Sequence, residues 1–377
     1  MSSLNQQEAW LLLQDGTRFK GYAAGKIGTC GGEICFNTGM TGYQEIYTDP
    51  SYFGQIMVNT NVHIGNYGIL SKESESDQVQ IKGLVCRNFS SHMSRSMATE
   101  SLQEYLERNN IVCIYGIDTR ALVRHIRIHG AMNAVISSEV QDIEILNELL
   151  HSVPNMQGLE LASKVTTESA YFVGNPASKF KVAAMDFGIK KSILKQLEAV
   201  GFYVKVFPAK TEFKEINKWN PDAFFLSNGP GDPEPMDYAI ENISQMIHTK
   251  KPVFGICLGH QLISLAIGIS TFKMHHGHRG TNHPVKNLIT GLGEITSQNH
   301  GFSVAMNDIQ KRHEEVSLSH INLNDQSVEG IKLTKFPVFS VQYHPEAGPG
   351  PHDSRYLFNQ FYELTASLNQ VYSTIHE

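Results

Sequence analysis

From residue 181 onward, continuous apolar runs alternate with stretches whose apolar residues recur at helical spacing. The first run, residues 181–188, is followed by a helical stretch, and similar apolar runs cover residues 202–209, 223–228 and 252–257. The first helical stretch places its apolar side chains on one face, at Ile189, Ile193, Leu194 and Leu197. Apolar strands that alternate with helices are typical of a parallel sheet covered by helices on both faces. The pattern therefore predicts an α/β domain over residues 181–377 with a mostly parallel sheet flanked by helices.

The first 150 or so residues have a different pattern, in which short β-rich runs mix with helices. The pair Asp15-Gly16 predicts a tight hairpin turn, and residues 111–130 predict a strand and then a helix that Asp118 caps and that ends before Gly130. Residues 152–178 are weakly periodic and contain two prolines. We therefore predict a mixed α/β domain over residues 1–152 and a connector over residues 153–180.

Composition and charge exclude several classes of protein. The chain has 377 residues, 41% of them hydrophobic, and a formal net charge of -6 without a basic stripe, which argues against nucleic-acid binding. No apolar run approaches the ~20 residues of a membrane span, and the N-terminus lacks the basic start and apolar run of a signal peptide. The five cysteines are odd in number and scattered. We expect reduced thiols and a cytoplasmic protein without a membrane partner.

Cys257 lies in a motif that is typical of a catalytic nucleophile. The sequence Gly255-Ile256-Cys257-Leu258-Gly259 joins an apolar strand to a helix and fits the elbow that exposes a nucleophile on a strained turn. The start of the following helix favours the thiolate, and its N–H groups face the negative charge that develops on an attacked carbonyl. A buried cysteine in an ordinary turn is the alternative, which this motif alone leaves open.

His344 and Glu346 stand on either side of Pro345, which excludes a helix there. In an extended chain two such residues point to the same side, so Glu346 can orient His344 while His344 takes the proton of a thiol. With Cys257 they form a candidate triad for nucleophilic acyl transfer. Taken alone, the segment is equally compatible with a surface turn rich in proline and glycine.

A glycine-rich loop follows another apolar strand, in the sequence FLSNGPGDP of residues 225–233. Gly229 and Gly231 permit unusual backbone angles, and the two prolines stiffen the loop. Such a loop can direct backbone N–H groups at an oxyanion or a small substrate. A plain turn is the alternative reading of this segment.

These three motifs, in this order, resemble the class I glutamine amidotransferases. The N-terminal sequence FNTGMTGYQEIYTDPSYFGQI, together with FGICLGHQ, SQNHGF and HPEAGPGPHD, makes the whole chain similar to the small, glutaminase subunit of carbamoyl-phosphate synthetase. The resemblance implies that the N-terminal domain is the one that distinguishes this subunit from other glutaminases. It also implies hydrolysis of L-glutamine to glutamate and ammonia.

The resemblance further implies a role for particular residues. Cys257 would attack the glutamine amide and form a thioester, His344 would act as base and then acid, and Glu346 would orient it. The implied glutamine contacts are Ser51, Gly229, Gly231, Leu258, Gln261, Asn299, Gly301 and Phe302. Ser51 belongs to the other half of the chain, so the resemblance predicts a pocket at a domain boundary. No metal site is implied.

A partner is expected because the chain lacks a Walker-type phosphate loop and a dinucleotide fingerprint. We expect no cofactor on this chain, with ATP and Mg²⁺ on a large synthetase subunit that receives the ammonia and makes carbamoyl phosphate from bicarbonate for arginine and pyrimidine biosynthesis. Two alternatives are a partner-free hydrolase of γ-glutamyl substrates and a non-catalytic module on the same fold.

Two further clusters are given structural interpretations. The histidine-rich segment with His275, His276, His278 and His283 predicts a polar loop and not a metal site, since no cysteine or acidic ligand accompanies it. Arg120, Arg124 and Arg127 recur at helical spacing. They are interpreted as a solvated helix face, with contact to a partner as the alternative.

Overall fold

The computed structural model of the chain describes residues 7–375, which divide into two compact units. Unit 1 runs to Leu159 and includes the segment His275–Gly280, whereas unit 2 consists of Glu160–Met274 and the chain from Thr281 onward. The division into domains at residues 1–152 and 181–377, with a connector over residues 153–180, stays a prediction. In the described part of the chain, no helix combines the length and the apolar character that crossing a membrane requires.

Unit 1 is built around a closed barrel with the strand order β1-β2-β8-β6-β4-β3-β9. Its strands are β1 (Glu8–Leu13), β2 (Arg18–Gly25), β3 (Thr29–Asn37), β4 (Gln55–Asn59), β5 (His63–Ile64), β6 (Gly83–Val85), β7 (Asn88–Phe89), β8 (Val112–Tyr115) and β9 (Asn133–Ser137). Its helices are α1 (Tyr43–Thr48), α2 (Leu102–Arg108), α3 (Thr119–His129) and α4 (Ile143–His151), and short 3-10 turns cover Pro50–Tyr52 and Ser71–Glu73. Strands β5 and β7 form a separate parallel pair.

Two local predictions for unit 1 are confirmed. Strands β1 and β2 pair antiparallel across the turn at Asp15-Gly16, where Gly16 has a φ of 86°. Helix α3 begins after Asp118, whose side chain accepts a hydrogen bond from the N–H of Ala121, and it ends before Gly130. Turn and cap chemistry act over a few residues, so the sequence is sufficient to predict them.

The barrel interior is apolar and fully enclosed. It is filled by side chains such as Leu11, Ile34, Ile56 and Ile114, and α3 packs Leu122 and Ile126 against it. The four cysteines of this unit, Cys30, Cys35, Cys86 and Cys113, are buried free thiols. The predicted mixed α/β class of the N-terminal half is confirmed.

Unit 2 is a ten-stranded sheet with the order β10-β12-β11-β13-β14-β19-β18-β17-β15-β16. Its strands are β10 (Tyr171–Val173), β11 (Phe180–Asp186), β12 (Phe202–Pro208), β13 (Ala223–Leu226), β14 (Val253–Ile256), β15 (Thr271–Asn287), β16 (Gly293–Val304), β17 (Val316–Asn322), β18 (Val328–Leu333) and β19 (Val338–Val341). The middle of β15, His275–Gly280, is the segment that belongs to unit 1. Its helices are α5 (Ala162–Val165), α6 (Lys191–Ala199), α7 (Phe213–Lys218), α8 (Asp237–His248), α9 (Leu258–Ala266), α10 (Met306–Lys311) and α11 (Tyr356–Ile375).

The centre of this sheet is parallel, as the apolar runs predict. Strands β12, β11, β13, β14 and β19 pair in parallel, and antiparallel strands extend the sheet on both sides. Helices cover both faces through two apolar clusters, so the predicted fold class is confirmed. The polar loop predicted for the histidine-rich segment is wrong: residues 271–287 form the single long strand β15, because pairing across the sheet overrides a local turn-like composition.

The parallel strands place four loops at one edge of the sheet. Strands β11, β13, β14 and β19 are successive neighbours, and their carboxyl ends lead to Lys190, Gly229, Cys257 and His344 respectively. In parallel sheets these ends form the crevice in which ligands bind. The candidate catalytic residues of unit 2 therefore lie at this edge of the sheet.

Candidate active site

Cys257 forms a strained corner between β14 and α9. Its φ is 53° and its ψ is -101°, a conformation that residues with a side chain rarely adopt. A Cβ on Gly259 would lie 2.3 Å from the carbonyl oxygen of Leu226, and one on Gly255 would lie 2.7 Å from Cδ1 of Ile263. Glycine is required on both sides because α9 packs directly against the strands. The predicted elbow is confirmed as a backbone structure.

The thiol of Cys257 is covered and not exposed. The residue is 3% exposed, and its Sγ lies 3.6 Å from the carbonyl oxygen of Asn299 and 3.7 Å from Nε2 of Gln342. Asn299 belongs to β16 and Gln342 follows β19 directly. The exposure that the elbow motif predicts is thus removed by two segments distant in sequence.

His344 and Glu346 face each other as the extended segment predicts. Nδ1 of His344 lies 2.7 Å from Oε1 of Glu346, and both residues are at most 3% exposed. Lys190 completes the group: its Nζ lies 3.0 Å from the same Oε1 and donates to the carbonyl oxygen of Gly348 at 3.0 Å. The carboxylate of Glu346 is therefore held between a cation and an imidazole.

These contacts determine the charges of the buried pair. Burial alone would lower the pKa of His344, but the charge of Glu346 and the interactions with Cys257 overcome that effect and raise it to about 10. Burial would raise the pKa of Glu346, whereas Lys190 and His344 together lower it to about 2. An imidazolium and a carboxylate at neutral pH follow from this arrangement.

The second ring nitrogen of His344, Nε2, is placed for proton transfer. Nδ1 of His344 is paired with Glu346, and Cys257 is close enough to raise the pKa of the ring through a side-chain interaction. Because Nδ1 is occupied by Glu346, Nε2 is the nitrogen through which a proton can be exchanged with the thiol.

The glycine-rich loop lies against the start of α9. A Cβ on Gly229 would lie 2.2 Å from the carbonyl oxygen of Phe187 and 2.7 Å from Cδ2 of Leu258, so only glycine fits there. Gly231 has a φ of 91°. The N–H of Leu258 stands in the first turn of α9, where N–H groups have no partner within the helix. Loop and elbow thus meet where an oxyanion would be stabilised.

The remaining predicted residues of unit 2 lie beside the thiol. Nε2 of Gln261 donates to the carbonyl oxygen of Phe302 at 3.0 Å and to Oε1 of Gln342 at 3.1 Å. Gly301 lies between Asn299 and Phe302 on β16. The structure therefore groups the predicted residues of this unit around Cys257. The side-chain N–H groups of Gln261, however, are hydrogen-bonded within the protein.

Ser51 lies in unit 1, in the 3-10 turn Pro50–Tyr52. It is buried, and its backbone N–H donates to Oδ1 of Asp49 at 2.9 Å. Its predicted contact with glutamine stays a prediction, as does the predicted position of the pocket at a domain boundary.

Comparison with known sequences covers both halves of the chain. Residues 11–136 match the carbamoyl-phosphate synthase small chain, CPSase domain, and residues 183–364 match glutamine amidotransferase class-I. The carbamoyl phosphate synthase small chain of Chlorobaculum tepidum is 49% identical over 96% of this chain and 98% of its own length. That of Synechococcus sp. is 47% identical over 97% of this chain and 95% of its own. The chain belongs to the carbamoyl phosphate synthase small chain family.

Two residues of this family member escaped the sequence analysis. Lys190 and Gln342 carry no motif of their own, yet one fixes the carboxylate of Glu346 and the other covers the sulfur of Cys257. A signal was present for Lys190, because this basic residue lies in the loop four positions beyond the end of a strand whose carboxyl end lies at the predicted crevice. Gln342 stands two positions before His344, so the same extended chain that aligns His344 with Glu346 also directs it to this side.

Proposed function

We propose that this chain is the glutamine-hydrolysing subunit of a carbamoyl-phosphate synthetase and converts L-glutamine to glutamate and ammonia. One observation carries the proposal: the candidate triad Cys257, His344 and Glu346 is assembled at a strained elbow. The relatives of this protein are carbamoyl phosphate synthase small chains. A strained, glycine-flanked cysteine beside a charged imidazole is costly to build, and nucleophilic catalysis is the function that uses it.

In the proposed first step, Sγ of Cys257, as a thiolate, attacks the side-chain amide carbon of glutamine and forms a C–S bond. The oxygen becomes an oxyanion, which the N–H of Leu258 and the Gly229–Gly231 loop stabilise. Nε2 of the charged His344 then gives its proton to the amide nitrogen. The C–N bond breaks, ammonia leaves, and a γ-glutamyl thioester remains.

In the second step, His344 takes a proton from water, which attacks the thioester carbon. The C–S bond breaks, glutamate leaves and the thiolate is restored, with the proton again on His344. Glu346 keeps the imidazole oriented, and Lys190 keeps Glu346 ionised. No residue of this cycle needs a cofactor on this chain.

The ammonia is proposed to pass to a large, ATP-using subunit, which forms carbamoyl phosphate from bicarbonate with ATP and Mg²⁺. Family membership and the absence of a phosphate-binding loop from the sequence support a heterodimer of the two chains. The product would supply arginine and pyrimidine biosynthesis.

The test is glutaminase activity measured with and without the large chain, combined with mass spectrometry of Cys257 after brief exposure to glutamine. We expect a γ-glutamyl adduct on Cys257 and turnover that the large chain stimulates. Turnover that the large chain leaves unchanged would favour a partner-free γ-glutamyl hydrolase. A Cys257 that forms no adduct with glutamine or with an electrophilic glutamine analogue would favour a non-catalytic module.

A further inference from the structure

A large concave surface in unit 1 plays no part in glutamine hydrolysis. This arginine cavity has a volume of about 990 Å³ and lies along α3, within unit 1. Its main lining residues are Arg87, Arg120, Arg124, Arg127, Val62 and Ile128. Four guanidinium groups at one cavity are unexpected on a chain whose net charge is -6.

The arginines of α3 are not neutralised by the protein. Arg120, Arg124 and Arg127 are exposed and have no ion pair within the part of the chain that the structure describes. Asp118 is the one acidic residue among the cavity's lining residues, and its Oδ1 already caps α3 and lies 4.0 Å from Nη1 of Arg87. The cavity therefore presents a surplus of positive charge.

Arg120 and Arg124 do not serve the stability of α3, whereas Arg127 stands in the last turn, where the helix dipole favours a cation. Arg120 and Arg124 are four positions apart and Arg127 is three further on, so like charges repel along one helix face. Arg120 also stands in the first helical turn, where the helix dipole disfavours a cation. The buried face of α3 is supplied by Leu122 and Ile126. An anionic group from outside the chain would offset the repulsion between Arg120 and Arg124.

The surroundings of the arginines match a protein partner better than a small anion. Val62 and Ile128 are 45% and 59% exposed, so apolar side chains alternate with guanidinium groups over an open surface. Protein interfaces are enriched in arginine and combine it with apolar contacts. Sites for small molecules enclose most of the ligand instead. Guanidinium groups pair with carboxylates through two parallel hydrogen bonds.

The family comparison indicates which partner this is. The amidotransferase match covers only residues 183–364, whereas unit 1 contains the match specific to the small chain, residues 11–136. Contacts that only this subunit makes are therefore expected on unit 1. We propose that the arginine cavity binds an acidic, partly apolar segment of the large, ATP-using chain. This inference rests on the proposed function, since it requires that such a partner exists.

The test compares binding of the full-length chain and its variants to the full-length large chain at several salt concentrations. The double variant Arg120→Glu/Arg124→Glu is expected to weaken binding by about 30-fold or more and to flatten its salt dependence. Glutaminase activity of the chain alone stays unchanged, and Tm stays the same or rises because an acidic side chain suits the first turn of α3 better than Arg120 does. The double variant Arg120→Ala/Arg124→Ala is also expected to weaken binding, and it introduces no acidic side chain. The control is Arg18→Glu/Lys26→Glu, two exposed residues outside the cavity.

Several results would overturn the inference. Binding of the double variant within twofold of the unchanged chain removes the arginine cavity as the docking surface, and so does equal weakening by the control. Binding of ATP or inorganic phosphate to the isolated chain that the double variant abolishes, with affinity for the large chain intact, identifies a small-anion site instead. If the unchanged chain does not bind the large chain at all, the proposed function fails and the docking surface fails with it.

Discussion

Lys190 and Glu346 form a buried ion pair, with 3.0 Å between Nζ and Oε1 and side chains that are 4% and 0% exposed. The pair joins the loop after β11 to the segment after β19, two strands that are not neighbours in the sheet. It also fixes the charge of the carboxylate that orients His344. Lys190 thus contributes both to the stability of unit 2 and to the charge state of a residue in the proposed mechanism.

Replacing Lys190 with methionine leaves the buried carboxylate of Glu346 without its cation. We expect the free energy of unfolding to fall by about 3–5 kcal/mol, the usual cost of breaking a buried ion pair by removing one partner. Urea unfolding measures this loss. Adding Glu346→Gln to Lys190→Met removes the unpaired charge and restores part of the loss. Equal unfolding free energies for Lys190→Met and the unchanged chain would show that the pair contributes no stability.

Replacing Cys257 with alanine removes the proposed nucleophile. We expect glutamine hydrolysis to fall by at least about 10³-fold, as for other enzymes that lose their nucleophile, while synthesis by the two-chain complex from added ammonia persists. The matched control is Cys113→Ala, which removes a buried thiol from unit 1. Residual glutaminase activity above one tenth in Cys257→Ala would assign the chemistry to another residue.

The pH dependence of hydrolysis depends on Glu346. Against the effect of burial, its carboxylate and Cys257 together raise the pKa of His344 to about 10, so the charged imidazole persists at neutral pH and is lost as the pH rises through that value. Glu346→Gln removes the negative charge and is expected to move the alkaline limb of kcat/KM to lower pH by more than about one unit. An alkaline limb at the same pH in both proteins would contradict the assignment of that limb to His344.

The same two shifts predict where the buried pair stabilises the fold. The contribution of His344, whose pKa is raised, is complete below its ordinary pKa of 6.5 and disappears as the pH rises through about 10. The contribution of Glu346, whose pKa is lowered, is present above 4.5 and disappears as the pH falls towards about 2. Unfolding free energies measured from pH 3 to 10 should therefore differ least between Glu346→Gln and the unchanged chain at both ends of that range.

The elbow requires glycine at position 259. A Cβ there would lie 2.3 Å from the backbone oxygen of Leu226, so Gly259→Ala must displace α9 from the sheet. We expect a loss of about 1–3 kcal/mol in unfolding free energy, together with reduced glutaminase activity. Gly293→Ala is the control, because nothing lies within 4 Å of a Cβ at Gly293 and its φ is not positive. Equal stability of the two variants would show that the close approach of α9 is dispensable.

Local patterns in the sequence were sufficient for much of the site. The glycines around Cys257, the proline between His344 and Glu346, and the cap at Asp118 each act over a few residues, so their geometry follows from the chain itself. The apolar runs likewise predicted the parallel centre of the sheet in unit 2.

The sequence by itself determined the elbow, the extended histidine segment and the class of the fold. Only the tertiary structure decided that the sulfur of Cys257 is covered by Asn299 and Gln342, that Lys190 holds Glu346, and that the histidine-rich segment is part of a long strand. The physical reason is the distance along the sequence over which each interaction acts. Backbone angles and side-chain direction depend on near neighbours, whereas burial, ion pairing and strand pairing depend on segments that only the folded sheet brings into contact.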